Sequence, residues 1–191
     1  MTLERARRAL SRYVARQIEA PEANPAAVAV ILLEGSNGLE ALFIKRAARS
    51  GDPWSGQVAF PGGRQDPEDA DLLATAIRET REEVGVELAG AERLGVLDDL
   101  YPRTPTLQPV RVRPFVFALP SRRALASSAE VERAFWVPLA LLVGAGVRRE
   151  LTLQVGGVSR AFPAYDLGDE VVWGMTERIL TPFLELIGYG Y

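Results

Sequence analysis

Three glutamates, Glu79, Glu82 and Glu83, carry the chemistry this sequence offers. They stand in the run Arg78-Glu79-Thr80-Arg81-Glu82-Glu83-Val84-Gly85. On a helix they fall at roughly 0°, 300° and 40°, so all three carboxylates share one face. Like charges at these spacings repel by roughly a few tenths of a kcal/mol per pair. A hard cation removes that repulsion, and carboxylate, carbonyl and water oxygens suit Mg²⁺ or Mn²⁺. A solvated acidic face, with Arg78 and Arg81 paired to the glutamates, accounts for the same run without a metal.

The elements that position this run are legible around it. A strand-like stretch, Gln57 to Phe60, breaks at Pro61-Gly62-Gly63 and gives way to an acidic loop with a proline. The helix that follows runs about four turns and stops at Gly85, as glycines stop helices. Leu73, Ile77, Thr80 and Val84 cluster well away from the glutamates and are expected to form its buried stripe.

Here the sequence resembles the Nudix hydrolases, whose box reads G-x5-E-x7-R-E-U-x-E-E-x-G-U with U a bulky apolar residue. Arg78 to Val86 matches the second half of that box, except that Thr80 stands at a U position. The first half departs. Gly63 and Arg78 are one residue too far apart, Ala70 stands where the first glutamate belongs, and Glu68 lies too far from Arg78 to replace it. The longer loop and the approach Ser55-Gly56-Gln57-Val58-Ala59-Phe60-Pro61-Gly62-Gly63 resemble the coenzyme A-directed branch. That branch usually carries a basic residue where this chain has Asp52.

The resemblance implies an α/β fold, a Nudix-type α/β/α sandwich with a mixed sheet. It implies Mg²⁺ or Mn²⁺ held by Glu79 and Glu83, with Glu82 and the Gly63 carbonyl assisting. Glu79 or Glu82 serves as base in that reading, or else a distal acid, for which Glu130 and Glu132 are the candidates. Arg78 would hold a glutamate in place, and Arg46 and Arg64 would meet phosphate. The implied reaction is hydrolysis of a nucleoside diphosphate linked to another group. Coenzyme A or its derivatives are the leading substrate, and ADP-ribose, another nucleoside diphosphate sugar or a dinucleotide is the alternative. A nucleotide-sensing module that cleaves nothing is the reading from another class, favoured only by Ala70.

Composition sets the bounds. The 191 residues suit one domain, and 48% apolar with 25% charged residues is ordinary for a soluble protein. A net charge of −3 argues against a general nucleic-acid binder. There is no cysteine and no histidine. Disulfides, thiolate nucleophiles, Cys/His zinc sites and histidine triads are therefore excluded, and acid–base work falls to carboxylates, tyrosines or metal-bound water. Arg5, Arg7 and Arg8 are followed by no apolar run, and Ala26 to Leu33 is too short to span a bilayer. A cytoplasmic enzyme without a membrane partner is expected.

Along the chain, Thr2 to Ala20 reads as a helix with Arg5, Arg8, Arg12 and Arg16 as a basic stripe. Residues 1–25 then form an N-terminal helix and short linker packed on a domain of residues 26–191. Ala26–Leu33 and Leu39–Lys45 read as a hairpin closed at Asn37-Gly38. Glu92–Leu97, Pro109–Leu119 and Glu130–Pro138 read as further strands, with a loop from Tyr101 to Gln108 and a short helix from Pro138-Leu139. Arg111 and Arg113 alternate with valines, on a solvent face or pointing at phosphate. Leu151–Val155 and Ser159–Phe162 flank Gly156-Gly157 as a second hairpin. Asp169–Ile187 reads as a long amphipathic helix with a kink at Pro182. A homodimer is an open expectation, with the N-terminal and C-terminal helices as its candidate surfaces.

Overall fold

A computed structural model of the chain describes residues 2–36, 38–50, 54–102, 108–155 and 157–189. Asn37, Asp52, Gly156 and part of the expected 101–108 loop lie outside the described residues. In chain order the elements are α1 (Leu3–Leu10), β1 (Asn24–Gly35), β2 (Gly38–Arg46), β3 (Val58–Ala59), β4 (Gly62–Arg64) and α2 (Leu72–Val84). There follow β5 (Glu92–Val96), β6 (Val110–Leu119), β7 (Val131–Pro138), α3 (Leu139–Leu142), β8 (Arg148–Val155), β9 (Val158–Asp166), β10 (Val171–Trp173) and α4 (Gly174–Ile187).

β1 is the axis of the fold because both its faces are buried. A continuous apolar run of this kind is what a strand covered on two sides requires. Ala27, Ala29, Ile31 and Leu33 face one core, which α2 closes with Leu72, Ala76 and Val84. Ala26, Val30 and Leu32 face the other, which α1 and α4 close with Ala6, Leu10, Leu180, Leu184 and Ile187. β1 runs parallel to β6 and antiparallel to β2 and β4. The sheet is therefore mixed, seven-stranded, ordered β3-β2-β1-β6-β5 with β4 also on β1 and β7 also on β2. Helices cover both faces, as the resemblance implied. Among the described residues no helix is long and apolar enough to cross a membrane.

Four readings are corrected. The first helix ends at Leu10 rather than Ala20, because two aspartates compete for the backbone beyond it. Asp98 accepts from the Arg16 amide (2.8 Å) and the Tyr13 hydroxyl (2.6 Å), and Asp99 accepts from the Ile18 amide (2.9 Å). Arg12 and Arg16 thus leave the stripe with Arg5 and Arg8. The last helix begins at Gly174, because Val171 to Trp173 pair with β9 instead. Together with β8 and β9, longer than expected, they make a separate three-stranded sheet. The stripe of α2 is rotated: Leu72, Thr75, Ala76, Thr80, Glu83 and Val84 are buried, while Leu73 and Ile77 are only half-buried. Finally, Gly62 and Gly63 do not merely turn the chain; they form β4 against β1.

Arg111 and Arg113 face neither solvent nor a phosphate site. Arg113 grips both carboxylate oxygens of Asp99 (2.8 and 2.9 Å), and Arg111 lies 3.5 Å from the same group. Burial by itself would raise the Asp99 carboxyl, but these arginines and the Ile18 amide outweigh it and hold it below its ordinary value. The sign follows. With its pKa lowered on folding, Asp99 contributes stability above the unfolded value, near 3.8, that is lost as pH falls through the folded one. Asp99→Asn is expected to cost about 3–5 kcal/mol at neutral pH, since it leaves two arginines facing a neutral buried group. It should also flatten the acid limb of the stability profile. Urea unfolding across that pH range checks both effects.

Candidate active site

The glycines after Pro61 matter because the chain comes close to its neighbours there. A Cβ on Gly62 would lie 2.2 Å from the Ala27 carbonyl oxygen, and one on Gly63 would lie 2.5 Å from the Glu79 carboxylate. The absence of both side chains lets α2 present its acids directly to the β1–β4 ladder. The helix is anchored for that purpose at each end. Asp71 caps it by accepting from the Ala74 amide (2.8 Å), and Gly85 ends it in the left-handed region (φ 70°).

The acids open into a cavity of about 410 Å³. Glu79 and Glu83 form one wall, with Gly62, Gly63 and Arg64 beside them. Arg46 enters from the end of β2 and Glu130 from the residue before β7. Ala26, Val28, Ala59, Phe60, Val110 and Val112 supply an apolar floor, and Trp54, Gln57, Met175 and Thr176 complete the rim. Thr176 ties α4 to this rim through its hydroxyl, which donates to the Val58 carbonyl at 3.0 Å.

The structure sorts the candidate residues. Glu83 is buried, and its carboxylate accepts from the Gly62 amide at 2.9 Å and lies 4.0 Å from Arg46. Burial pushes its pKa up to about 7, with the charges of Glu79 and Glu130 adding and the Gly62 amide opposing. Burial also raises Glu79, against the nearby Arg78. Glu82 is separated from these two: its side chain is 52% exposed, bonds Arg78 (3.0 Å) and is not part of the cavity lining. Arg64 is exposed at the cavity's edge. Glu130 reaches the cavity and is held by Arg49 at 2.9 Å, whereas Glu132, 3.8 Å from Lys45, does not reach it.

Arg78 lies behind the acids. It bonds Asp69 (2.9 and 2.8 Å), Glu79 (2.9 Å), Glu82 (3.0 Å) and the Arg64 carbonyl (3.2 Å). Asp69 is the partner that sequence reasoning missed. Its hydrogen bonds from Arg78, then those of the Asp66 amide and Thr75, hold it well below the usual carboxylate range despite burial. Ala70, where a glutamate was expected, is exposed, and Asp69 supplies a carboxylate one position earlier. Helix periodicity gives no sign of this, because Asp69 lies in the loop. Trp54, Met175 and Thr176 were missed because nothing local in their sequence marks them, and Gln57, within the approach already singled out, was given no role in the site.

A divalent cation fits the wall formed by Glu79 and Glu83. Burial pushes both acids above their ordinary range even with Arg78 bonded to Glu79 at 2.9 Å and Arg46 4.0 Å from Glu83, and a cradle without Cβ atoms leaves room at their carboxylates. Among the described residues no three acids form a complete metal cage. Such a pair suits Mg²⁺ or Mn²⁺, which keep water and take phosphate oxygens as remaining ligands.

Comparison with known proteins agrees with this geometry. Residues 23–155 match the NUDIX domain family. The mitochondrial coenzyme A diphosphatase NUDT8 of Mus musculus is 34% identical over 190 residues, covering 98% of this chain and 89% of that protein. Its counterpart in Homo sapiens is 35% identical, covering 97% and 78%. Among solved structures, a MutT/nudix family protein from Enterococcus faecalis superposes with a TM-score of 0.56 at 17% identity, covering 98% of this chain and 80% of that one.

Proposed function

The chain belongs to the Nudix family of hydrolases, and from that premise we propose that it cleaves coenzyme A or its derivatives at the diphosphate. The products are 3′,5′-ADP and a 4′-phosphopantetheine. The observation that carries this reading is similarity over nearly the whole chain to two coenzyme A diphosphatases. It is joined by the pair of desolvated acids on a glycine cradle.

Hydrolysis of a phosphoanhydride is mainly a matter of position and charge. Water attacks one phosphorus, the bridging P–O bond breaks, and a phosphate monoester leaves. A divalent cation, when bound, neutralises the diphosphate and acidifies the attacking water. Glu79 and Glu83 are the residues that would hold it, with the Gly63 carbonyl beside them. Arg78 positions Glu79, and Asp69 in turn fixes Arg78. Glu82 assists from outside the wall by sharing Arg78. Arg46, half-buried in the cavity, and Arg64, at its edge, meet phosphate oxygens. Glu130, which lines the same cavity and is held by Arg49 at 2.9 Å, takes the proton from the attacking water.

A substrate panel with Mg²⁺ and with Mn²⁺, its products resolved by mass, tests the proposal. Coenzyme A, acyl-coenzyme A, ADP-ribose, NADH and nucleoside triphosphates belong in it. Release of 3′,5′-ADP is expected. Turnover of ADP-ribose or NADH alone would keep the mechanism and change the substrate. Binding without any turnover would mean a sensor.

A further inference from the structure

The chain leaving β2 is tied to both sides of the cavity mouth. On one side the Arg46 amide donates to the Gln57 carbonyl (3.0 Å) and the Arg49 amide to the Ser55 hydroxyl (2.8 Å). On the other the Ala47 amide donates to the Glu130 carbonyl (2.8 Å). The Arg49 side chain then forks across that second side. One nitrogen of its guanidinium donates to the Glu130 carboxylate at 2.9 Å and another to the Ala129 carbonyl at 3.3 Å. Glu130 lines the cavity, whereas Arg49 is not part of the lining.

The Glu130 backbone is held independently of this fork. Besides the Ala47 bond, its own amide donates to the Ser128 hydroxyl (3.2 Å), and the Ser128 amide donates to the Glu83 carbonyl (3.2 Å). The Ala126 amide donates to the Val84 carbonyl (3.0 Å). The segment before β7 is thereby registered on the last turn of α2 by bonds in which neither the Arg49 nor the Glu130 side chain takes part.

The Glu130 side chain is a different matter, because its carboxylate has water to turn into. It is 52% exposed, and that of Arg49 is 47% exposed. A carboxylate so placed has several rotamers open to it. The fork selects one, since an arginine contact of this kind fixes direction as well as distance. In that rotamer the Glu130 charge is felt at Glu83. As a stabilising device the pair is weak: an exposed ion pair gains little over hydration and loses side-chain entropy. Its consequence is the aim of the carboxylate rather than the stability of the fold.

We propose that Arg49 is a positioning residue of the hydrolysis, which aims the Glu130 carboxylate at the attacking water and ties that aim to the rim at Ser55. The proposal rests on the reading of Glu130 as the base. A base works only within hydrogen-bond reach of the proton it takes, and a displacement of about 1 Å costs up to about 100-fold in rate. Arg49 acts through Glu130 and not on the substrate.

Steady-state kinetics of the unmodified chain, Arg49→Gln, Glu130→Gln and the double variant test this, with coenzyme A and Mg²⁺, or with whichever compound of the panel is turned over. Glu130→Gln should lower kcat about 100-fold or more, as loss of a general base does. Arg49→Gln should lower kcat about 10- to 100-fold, with KM changed less than about two-fold and the urea midpoint unmoved. In the Glu130→Gln background the Arg49 change should cost nothing further, because the group it aims is gone. Equal losses of kcat in the two backgrounds would overturn the proposal. So would an Arg49→Gln variant that keeps its kcat, whether KM stays or rises; a raised KM would place Arg49 on the substrate instead. A Glu130→Gln variant with full kcat would remove the base, and the proposal with it, while leaving the cleavage reaction standing.

Discussion

Replacing Glu83 with glutamine should lower metal-dependent turnover by a factor on the order of hundreds or more while leaving the fold intact. The side chain sits in the buried face of α2 and accepts from the Gly62 amide at 2.9 Å. Glutamine keeps the volume and an acceptor for that amide, but it removes the charge that would hold a cation. In the cation-free protein the same change acts in the opposite sense. Burial raises Glu83 from 4.5 to about 7, so folding favours its protonated form. That contribution to stability is complete below the unfolded value and is lost as pH rises through about 7. Glutamine has no proton to lose. Above neutrality the cation-free variant should therefore be the more stable protein, by up to about 3 kcal/mol. Steady-state kinetics with and without Mg²⁺, beside urea unfolding in chelator on either side of neutrality, measure both effects. Unchanged metal-dependent turnover would remove Glu83 from the ligand set.

Gly62→Ala is expected to cost about 3–5 kcal/mol of stability, the largest loss for any addition of one methyl group in this site. Its backbone stands at φ 152°, and the added carbon would meet backbone atoms: the Ala27 carbonyl oxygen at 2.2 Å and the Val28 Cα at 2.6 Å. Neither can swing aside as a side-chain tip could, because Ala27 and Val28 lie in β1, paired on its other edge with Arg113 and Pro114 of β6. Relief requires β4 to lift from β1. That movement withdraws the Gly62 amide from Glu83 and widens the wall that the acids form. Gly63→Ala is a useful contrast, since its clash is with the Glu79 carboxylate, a mobile group. It should harm turnover more than stability. Chemical unfolding midpoints and kcat for the two variants separate these effects. An unshifted midpoint for Gly62→Ala would mean that β4 is not held against β1 as described.

The acids show how local patterns and packing divide the information. Helical spacing placed Glu79, Glu82 and Glu83 within one arc, and it did so correctly as geometry. Spacing fixes only which residues are neighbours on a helix, not which direction the protein lies. The arc expected to be buried, Leu73 to Val84, is displaced toward Leu72, Thr75, Ala76 and Glu83. As a result one acid points inward, one stands at the margin and one faces solvent. Arg111 and Arg113 carry the same lesson for strands: alternation set them opposite Val110 and Val112, but what covers that side, Asp99 and the strap after α1, is distant in sequence.

By itself the sequence determined the family, the α/β class, the helix that stops at Gly85, and the apolar strand-like run from Ala26 to Leu33. These are consequences of short-range rules, such as period, capping and backbone freedom, and each acts over a few residues. Only the tertiary structure decided that Glu79 and Glu83 share a cavity while Glu82 does not, that Asp69 fixes Arg78, and that β10 joins β8 and β9 in a separate sheet. Each of those outcomes depends on where a separate segment comes to rest. That is set by the competition among buried surfaces and hydrogen bonds across the whole chain, which no local pattern encodes.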